Sequence, residues 1–283
     1  MGKVGGSLRL IRPVNCFMMG VAVIVGAALA SPSSLGQYWP PLFYGFVTSF
    51  TLTAASMAIN DYYDREIDAI NEPKRPIPSG QIRPKEALAL ATVFSLIGFI
   101  AACLTNAFSL ATAIIAYLVF VTYTTIGKRS GLPGNFLVSA CVAIPFIYGS
   151  ITIVDESRLN VLFFASMAFL SNTGREVTKG IVDIQGDKTR NVKTLAARFG
   201  ERSAAFGAAF FYVLAVLLSP VPWFLNLVSV WFIPFVLVTD IGFVVSSVLL
   251  VKNHSRESAR KIKNMVLICF LFGLLAFIAG TLG

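Results

Sequence analysis

The sequence is short of charge. Only 13% of its 283 residues are Asp, Glu, Lys or Arg, while 56% are hydrophobic. A soluble domain of ordinary composition carries about 25% charged residues, so a single water-exposed globule is excluded. Histidine is nearly absent: His254 stands alone in a basic stretch, is expected at the surface, and leaves nothing from which to build a nucleophilic triad. Cysteine is scarce as well. Cys16, Cys103, Cys141 and Cys269 form no CxxC pair and no zinc spacing, so they read as small apolar packing residues.

What is abundant is long apolar sequence. Stretches near the roughly 20 residues needed to cross a bilayer run over 14–31, 40–60, 86–104, 108–126, 133–152, 159–175, 203–219, 227–250 and 263–282. The expected fold class is an all-α membrane protein with nine transmembrane helices, one polytopic domain over 1–283. Charge placement tests the count independently. With a cytoplasmic N-terminus, the cytoplasmic segments collect Lys3, Arg9 and Arg12; then Arg65, Lys74, Arg75, Arg83 and Lys85; then Lys128 and Arg129. After these come Arg175, Lys179, Lys188, Arg190, Lys193, Arg198 and Arg202, and finally Lys252, Arg256, Arg260, Lys261 and Lys263. That is 22 of the 23 basic residues, leaving out only Arg158. The alternation follows the positive-inside rule. The net charge of +9 therefore calls for no nucleic-acid partner, and no obligatory protein partner is evident. The first span imitates a signal peptide through Ala28-Leu29-Ala30, but is expected to stay as a helix that the charge pattern accommodates.

Acidic residues gather in two places. Eight of the 14 are Asp61, Asp64, Glu66, Asp68 and Glu72, after the second span, and Glu176, Asp183 and Asp187, after the sixth. At about 100° per residue, Asn60, Asp61, Asp64 and Asp68 share an arc of about 100°, and Glu176, Asp183 and Asp187 share about 40°. So many like charges on one face repel and raise one another's pKa values unless a cation is present. Magnesium suits carboxylates that share it with phosphate oxygens. A solvated face explains one such set as well; two sets on loops that also hold twelve basic residues have the electrostatics of a diphosphate site.

These residues, Asn60-Asp61-Tyr62-Tyr63-Asp64-Arg65-Glu66-Ile67-Asp68 and Asp183-Ile184-Gln185-Gly186-Asp187, resemble the paired NDxxDxxxD and DxxxD motifs of the UbiA superfamily of intramembrane prenyltransferases. The resemblance extends over the whole chain through the nine helices. It implies that Asp61, Asp64, Asp183 and Asp187 organise Mg2+ around a prenyl diphosphate, with Asn60 and Asp68 assisting. It also implies cytoplasmic caps after helices two and six, over about 61–85 and 176–202. The proline-rich run 73–84 cannot continue a helix and suits a turn back over the cavity.

Lys74-Arg75-Pro76-Ile77-Pro78-Ser79-Gly80, and Arg175-Glu176 ahead of the second motif, look like the archaeal members of that family that make digeranylgeranylglyceryl phosphate. Chlorophyll synthases share the first motif, so the second decides. The implied reaction carries geranylgeranyl from its diphosphate to the hydroxyl of geranylgeranylglyceryl phosphate. The enzyme would be a multi-pass protein of the cell membrane with its active site on the cytoplasmic side. Hydroxybenzoate, homogentisate, chlorophyllide or haem acceptors are the alternatives within the family, and a secondary transporter is the alternative outside it.

For the donor diphosphate the candidates are Arg12, Asn15, Asn60, Lys74, Arg75, Lys179 and Lys188; Arg12 and Asn15 resemble an Arg–Asn pair of the family's site. For the acceptor's phosphate they are Lys128, Arg129 and Arg190, with positive-inside bias as the other explanation of Lys128 and Arg129. Tyr123 faces the cavity and supports a cation through its ring, or else packs at the interface. Asp240, deep in the eighth span, is expected to make a structural polar contact.

Overall fold

The structure is a computed structural model and describes residues 2–155, 157–189 and 192–282; Arg190 lies outside them. Among the described residues there is helix and no strand. In chain order the helices are α1 (Lys3–Ile11), α2 (Pro13–Ala30), α3 (Trp39–Asn71), α4 (Pro84–Thr105), α5 (Ala107–Thr125), α6 (Leu132–Val154), α7 (Leu159–Val182), α8 (Ile184–Thr189), α9 (Leu195–Leu218), α10 (Val221–Phe224), α11 (Phe232–Lys252) and α12 (Arg256–Ala279). Eight are long and apolar enough to cross a membrane. The helix missing from that set is α7, whose 24 residues include Asn172, Arg175, Glu176 and Lys179. Length is not what sets it apart; polarity is.

Boundaries follow local chemistry. Proline opens α2, α3, α4 and α6 within their first two positions, where its missing N–H costs nothing. Only one residue, Asn106, separates α4 from α5, yet the break is sharp. Asn106 is extended and its side chain accepts the Ser109 amide at 2.7 Å, a strong N-cap. Two glycines let backbones touch: a Cβ at Gly26 would lie 2.0 Å from the Phe146 carbonyl oxygen, and one at Gly149 would lie 1.9 Å from that of Val23. Helices α2 and α6 thus pack at the contact distance that small residues allow in membranes. Elsewhere the interior is filled by aromatics, with Phe146, Phe164, Phe232 and Phe277 in one cluster and Tyr212 and Phe243 in another. Leu96, Ile100, Leu118, Phe210 and Ile241 are exposed on the outside, as residues meeting lipid are. Ser219 donates to Asp240 at 2.6 Å, which supplies the polar contact that carboxyl needs. His254 is half-buried rather than on the surface.

The stretches expected as cap loops are largely helical. Helix α3 continues to Asn71 and has 33 residues, about 50 Å against about 30 Å of hydrocarbon. Its last turns therefore carry the first motif beyond the apolar layer. The stretch 176–202 is likewise mostly helix, in the end of α7, in α8 and in the start of α9. The reason is compositional: 61–71 contains no proline and one carboxylate face, so hydrogen bonding proceeds until Pro73 forbids it. Beyond Asn71 the chain does turn. Ile77 and Ile82 are buried against Leu10, Ala58 and Ala87, folding the proline-rich run onto α1 and α3.

Candidate active site

The first motif projects from α3 as the sequence predicts, and each of its carboxylates meets a side-chain cation. Asp61, Asp64 and Asp68 are buried to 5% exposure or less. Arg12 donates to Asp61 at 2.6 Å, and Arg75 donates to Asp68 at 2.6 Å and to Asp61 at 3.5 Å. Lys128 forms an ion pair with Asp64, and Asn60 donates to the same carboxylate at 2.8 Å. Arg12 reaches Asp61 from the joint between α1 and α2, where its backbone is left-handed at φ 53°. Burial alone would weaken the Arg75 charge, but Asp68 and Asp61 more than offset it and hold its pKa above the ordinary value.

The second motif differs from its expected shape. Helix α7 ends at Val182 and Asp183 is its cap, at φ −96° and ψ 4°, so Glu176, Asp183 and Asp187 do not lie on one continuous helix. Asn71 holds the break. Its side-chain amide donates to the Asp183 carbonyl at 3.1 Å and accepts the Gly186 amide at 3.2 Å. A Cβ at Gly186 would fall 2.4 Å from the Asn71 nitrogen, so the glycine makes room for this contact. Arg256, at the start of α12, donates to the Val182 carbonyl at 3.0 Å and the Asn71 carbonyl at 3.3 Å. One guanidinium thereby caps the ends of both motif-bearing helices. Asp187 is buried, accepts from the N-cap hydroxyl of Thr194 at 3.2 Å, and has its pKa pushed up to about 6. Burial is the main cause and Asp183 the next, with Lys128, Thr194 and Lys179 opposing them.

The first motif lines a chamber through Asn60 and Asp61, while Asp183 and Asp187 of the second are not among its lining residues. A cavity of 510 Å³ is lined by Arg12, Asn15, Asn60, Asp61, Arg75, Tyr123 and Lys179, among others. Tyr123 is buried within electrostatic reach of both Asp64 and Asp187, and Lys128, paired with Asp64, also acts on Asp187. Lys74, Lys188 and Arg129 are exposed and do not line this cavity; each sits where a turn or helix end points its side chain to solvent. Asn71 and Arg256 were missed from the sequence. Asn71 continues the stripe of Asn60, Asp64 and Asp68 at helical spacing, so a signal for it existed. Arg256 is one of five basic residues in its segment and carried none.

Two apolar cavities adjoin the chamber or share its helices. One of 80 Å³, including Leu52, Ala113, Tyr117 and Ile144, shares Ser56 and Phe120 with it. Another of 90 Å³ lies among Met18, Ala22, Phe146, Phe243 and Phe277.

Among the described residues no three acidic, histidine or cysteine side chains converge on one point. The donor chemistry nevertheless fits a hard divalent cation, since both motifs offer carboxylate oxygens. The Lys128 ammonium pairs with Asp64 and acts electrostatically on Asp187, so positive charge there is felt by a carboxylate of each motif.

A helical membrane protein whose buried carboxylates and cations face one chamber beside apolar cavities defines an enzyme for an amphiphilic anion. Comparison narrows this. The profile of the UbiA prenyltransferase family matches residues 19–280. The chain is 36% identical over 276 residues to a digeranylgeranylglyceryl phosphate synthase of Archaeoglobus fulgidus, covering 96% of this chain and 94% of that one. It is similar to a solved structure described as a digeranylgeranylglyceryl phosphate synthase in membranes, with a TM-score of 0.74, 31% identity and 99% of each chain covered. A UbiA homologue from Archaeoglobus fulgidus bound to GPP and Mg2+ shares the fold, with a TM-score of 0.59 and 16% identity over 96% of this chain and 99% of that one. The chain belongs to the UbiA prenyltransferase family, and it is a multi-pass membrane prenyltransferase.

Proposed function

We propose that the enzyme transfers a geranylgeranyl group from geranylgeranyl diphosphate to the hydroxyl of geranylgeranylglyceryl phosphate, making an ether for archaeal membrane lipids. The observation that carries this reading is the chamber itself, where Asp61 of the first motif and Glu176 ahead of the second meet cations beside apolar cavities. The synthase relative, similar along nearly its whole length, supports the choice of acceptor. We read α7 as a ninth span despite its polar residues, which gives a cytoplasmic N-terminus and a site on the cytoplasmic face of the cell membrane. The distribution of basic residues supports that orientation.

Asp61, Asp64, Asp183 and Asp187 would hold Mg2+, with Asn60 and Asp68 assisting; the relative bound to GPP and Mg2+ supports this metal. The metal held there would draw charge from the diphosphate and so make it a better leaving group. Arg12, Asn15, Arg75 and Lys179 face the chamber and orient the diphosphate through charge-assisted hydrogen bonds. The bond between C1 and the diphosphate oxygen breaks, and its electron pair leaves with the diphosphate. The acceptor hydroxyl gives an electron pair to C1, and its proton passes to the released diphosphate. The Tyr123 ring, buried beside the chamber, steadies positive charge developing on the allylic carbon.

Mass spectrometry of products made by the purified enzyme from geranylgeranyl diphosphate tests the reading. An ether product from geranylgeranylglyceryl phosphate, and none from 4-hydroxybenzoate, is expected. Prenylated hydroxybenzoate alone would sink the acceptor and keep the fold.

A further inference from the structure

Most cations around the chamber already have a carboxylate. Arg12 and Arg75 are held by Asp61 and Asp68, and Lys128 by Asp64. On the α7 side, Glu176 is shared between Arg175 at 3.1 Å and Lys179 at 3.4 Å. Lys263 of α12 is different. It is half-buried, lines the same cavity, and makes no ion pair among the described residues. Its neighbours include two further cations, Lys179 and Arg175, with Asp183 and Glu72 as the opposing charges. Beside it, the Arg175 Nε is buried and has no hydrogen-bond partner, although it is a donor with nothing else to do.

Helix geometry explains how Lys263 comes to be left over. Arg256, Arg260 and Lys263 lie at offsets of four and three on one face of α12. The first caps α3 and α7, the second pairs with Glu72 at 2.9 Å, and the third reaches into the cavity instead of a helix end. A half-buried ammonium beside like charges is costly without an anion. An unpaired ammonium and an unpaired guanidinium edge in one cavity are complementary to a compact dianion.

We propose that Lys263 and the free edge of Arg175, with Asn264 on the same wall, form a subsite for the phosphomonoester headgroup of a lipid acceptor, distinct from the cations facing the motif carboxylates. This rests on the reading of the acceptor given above and says what distinguishes a phosphorylated lipid from an unphosphorylated one. The subsite anchors the headgroup while the chain lies in apolar surroundings, which fixes the position of the hydroxyl between them.

Steady-state kinetics of Lys263→Met with each substrate varied in turn tests this. The KM for geranylgeranylglyceryl phosphate is expected to rise about tenfold to a hundredfold, the loss that matches one charge-assisted hydrogen bond. The donor KM should stay within about twofold, and Lys263→Arg should restore most of the acceptor affinity. The wild type should also prefer the phosphorylated acceptor over geranylgeranylglycerol, and Lys263→Met should lose that preference. A rise in donor KM instead would assign Lys263 to the diphosphate, and no change in either would reduce it to a surface charge. Thermal shift of the purified protein by geranylgeranylglyceryl phosphate, without donor, separates the two readings. A shift that depends on Lys263 without turnover keeps the subsite and overturns the reaction; turnover indifferent to Lys263 does the reverse.

Discussion

The two acidic motifs look alike in sequence and are built differently. In the first, three buried aspartates on a continuous helix are matched to Arg12, Arg75 and Lys128. In the second, the helix breaks, and its carboxylates are not held as the first motif's are: the break is kept by Asn71, Thr194 and the Arg256 guanidinium on the Val182 carbonyl. Burial pushes one carboxylate of each motif up to about 6: Asp68, despite its pairing with Arg75, and Asp187, where Asp183 adds to the effect. Side-chain cations balance the first motif in place. Lys128 and Lys179 act on Asp187 without outweighing its burial, so a divalent cation is expected to complete the balance there.

Removing a carboxylate from either side tests the shared function most severely. Asp64→Ala and Asp187→Ala should each lower turnover by about a thousandfold, the scale for losing a principal electrostatic contact to the leaving group. Normal yield and detergent melting would show that the fold survives. Near-wild-type rates in both variants would remove the metal site.

A smaller effect is expected at the latch joining the motifs. Arg256→Ala removes hydrogen bonds to both helix ends, each about 1.5–3 kcal/mol for a charged donor. The Mg2+ concentration for half-maximal activity should rise about tenfold, while the KM of each substrate at saturating Mg2+ changes little. Lys at this position should recover part of the loss. An unchanged Mg2+ requirement would mean that the second motif holds its shape without help.

The smallest effect has the opposite sign. Because Lys128 occupies Asp64, Lys128→Met should lower the Mg2+ requirement, by about fivefold if the ion pair is worth about 1 kcal/mol. A metal titration followed by intrinsic fluorescence reads this without turnover. A higher requirement would show that Lys128 assists the metal rather than competing with it.

Much of this was legible in the sequence because membranes impose strong rules. Apolar length and basic asymmetry located the long helices, including α7, whose polarity makes it look least like a span. Motif spacing located Asp61, Asp64 and Asp68, since a helix preserves angular relations. The same argument failed for Asp183 and Asp187, because nothing local announces that α7 stops at Val182; the stop is held by Asn71, far away in sequence. Lys74, Lys188 and Arg129 could not be told from Arg75 or Lys128 by composition. Which loop cations turn inward is decided by tertiary packing. Arg256 and Lys263 were unreadable for the same reason, hidden among charges that orient the chain in the membrane.

The latch has a consequence for how the protein is made. Ribosomes deliver the chain from its N-terminus, so both aspartate motifs emerge before Arg256 does. Until α12 is threaded into the bilayer, the two acidic helix ends have Asn71 between them but no guanidinium across them. The catalytic chamber is therefore completed during biogenesis by the last helix, one that carries neither motif.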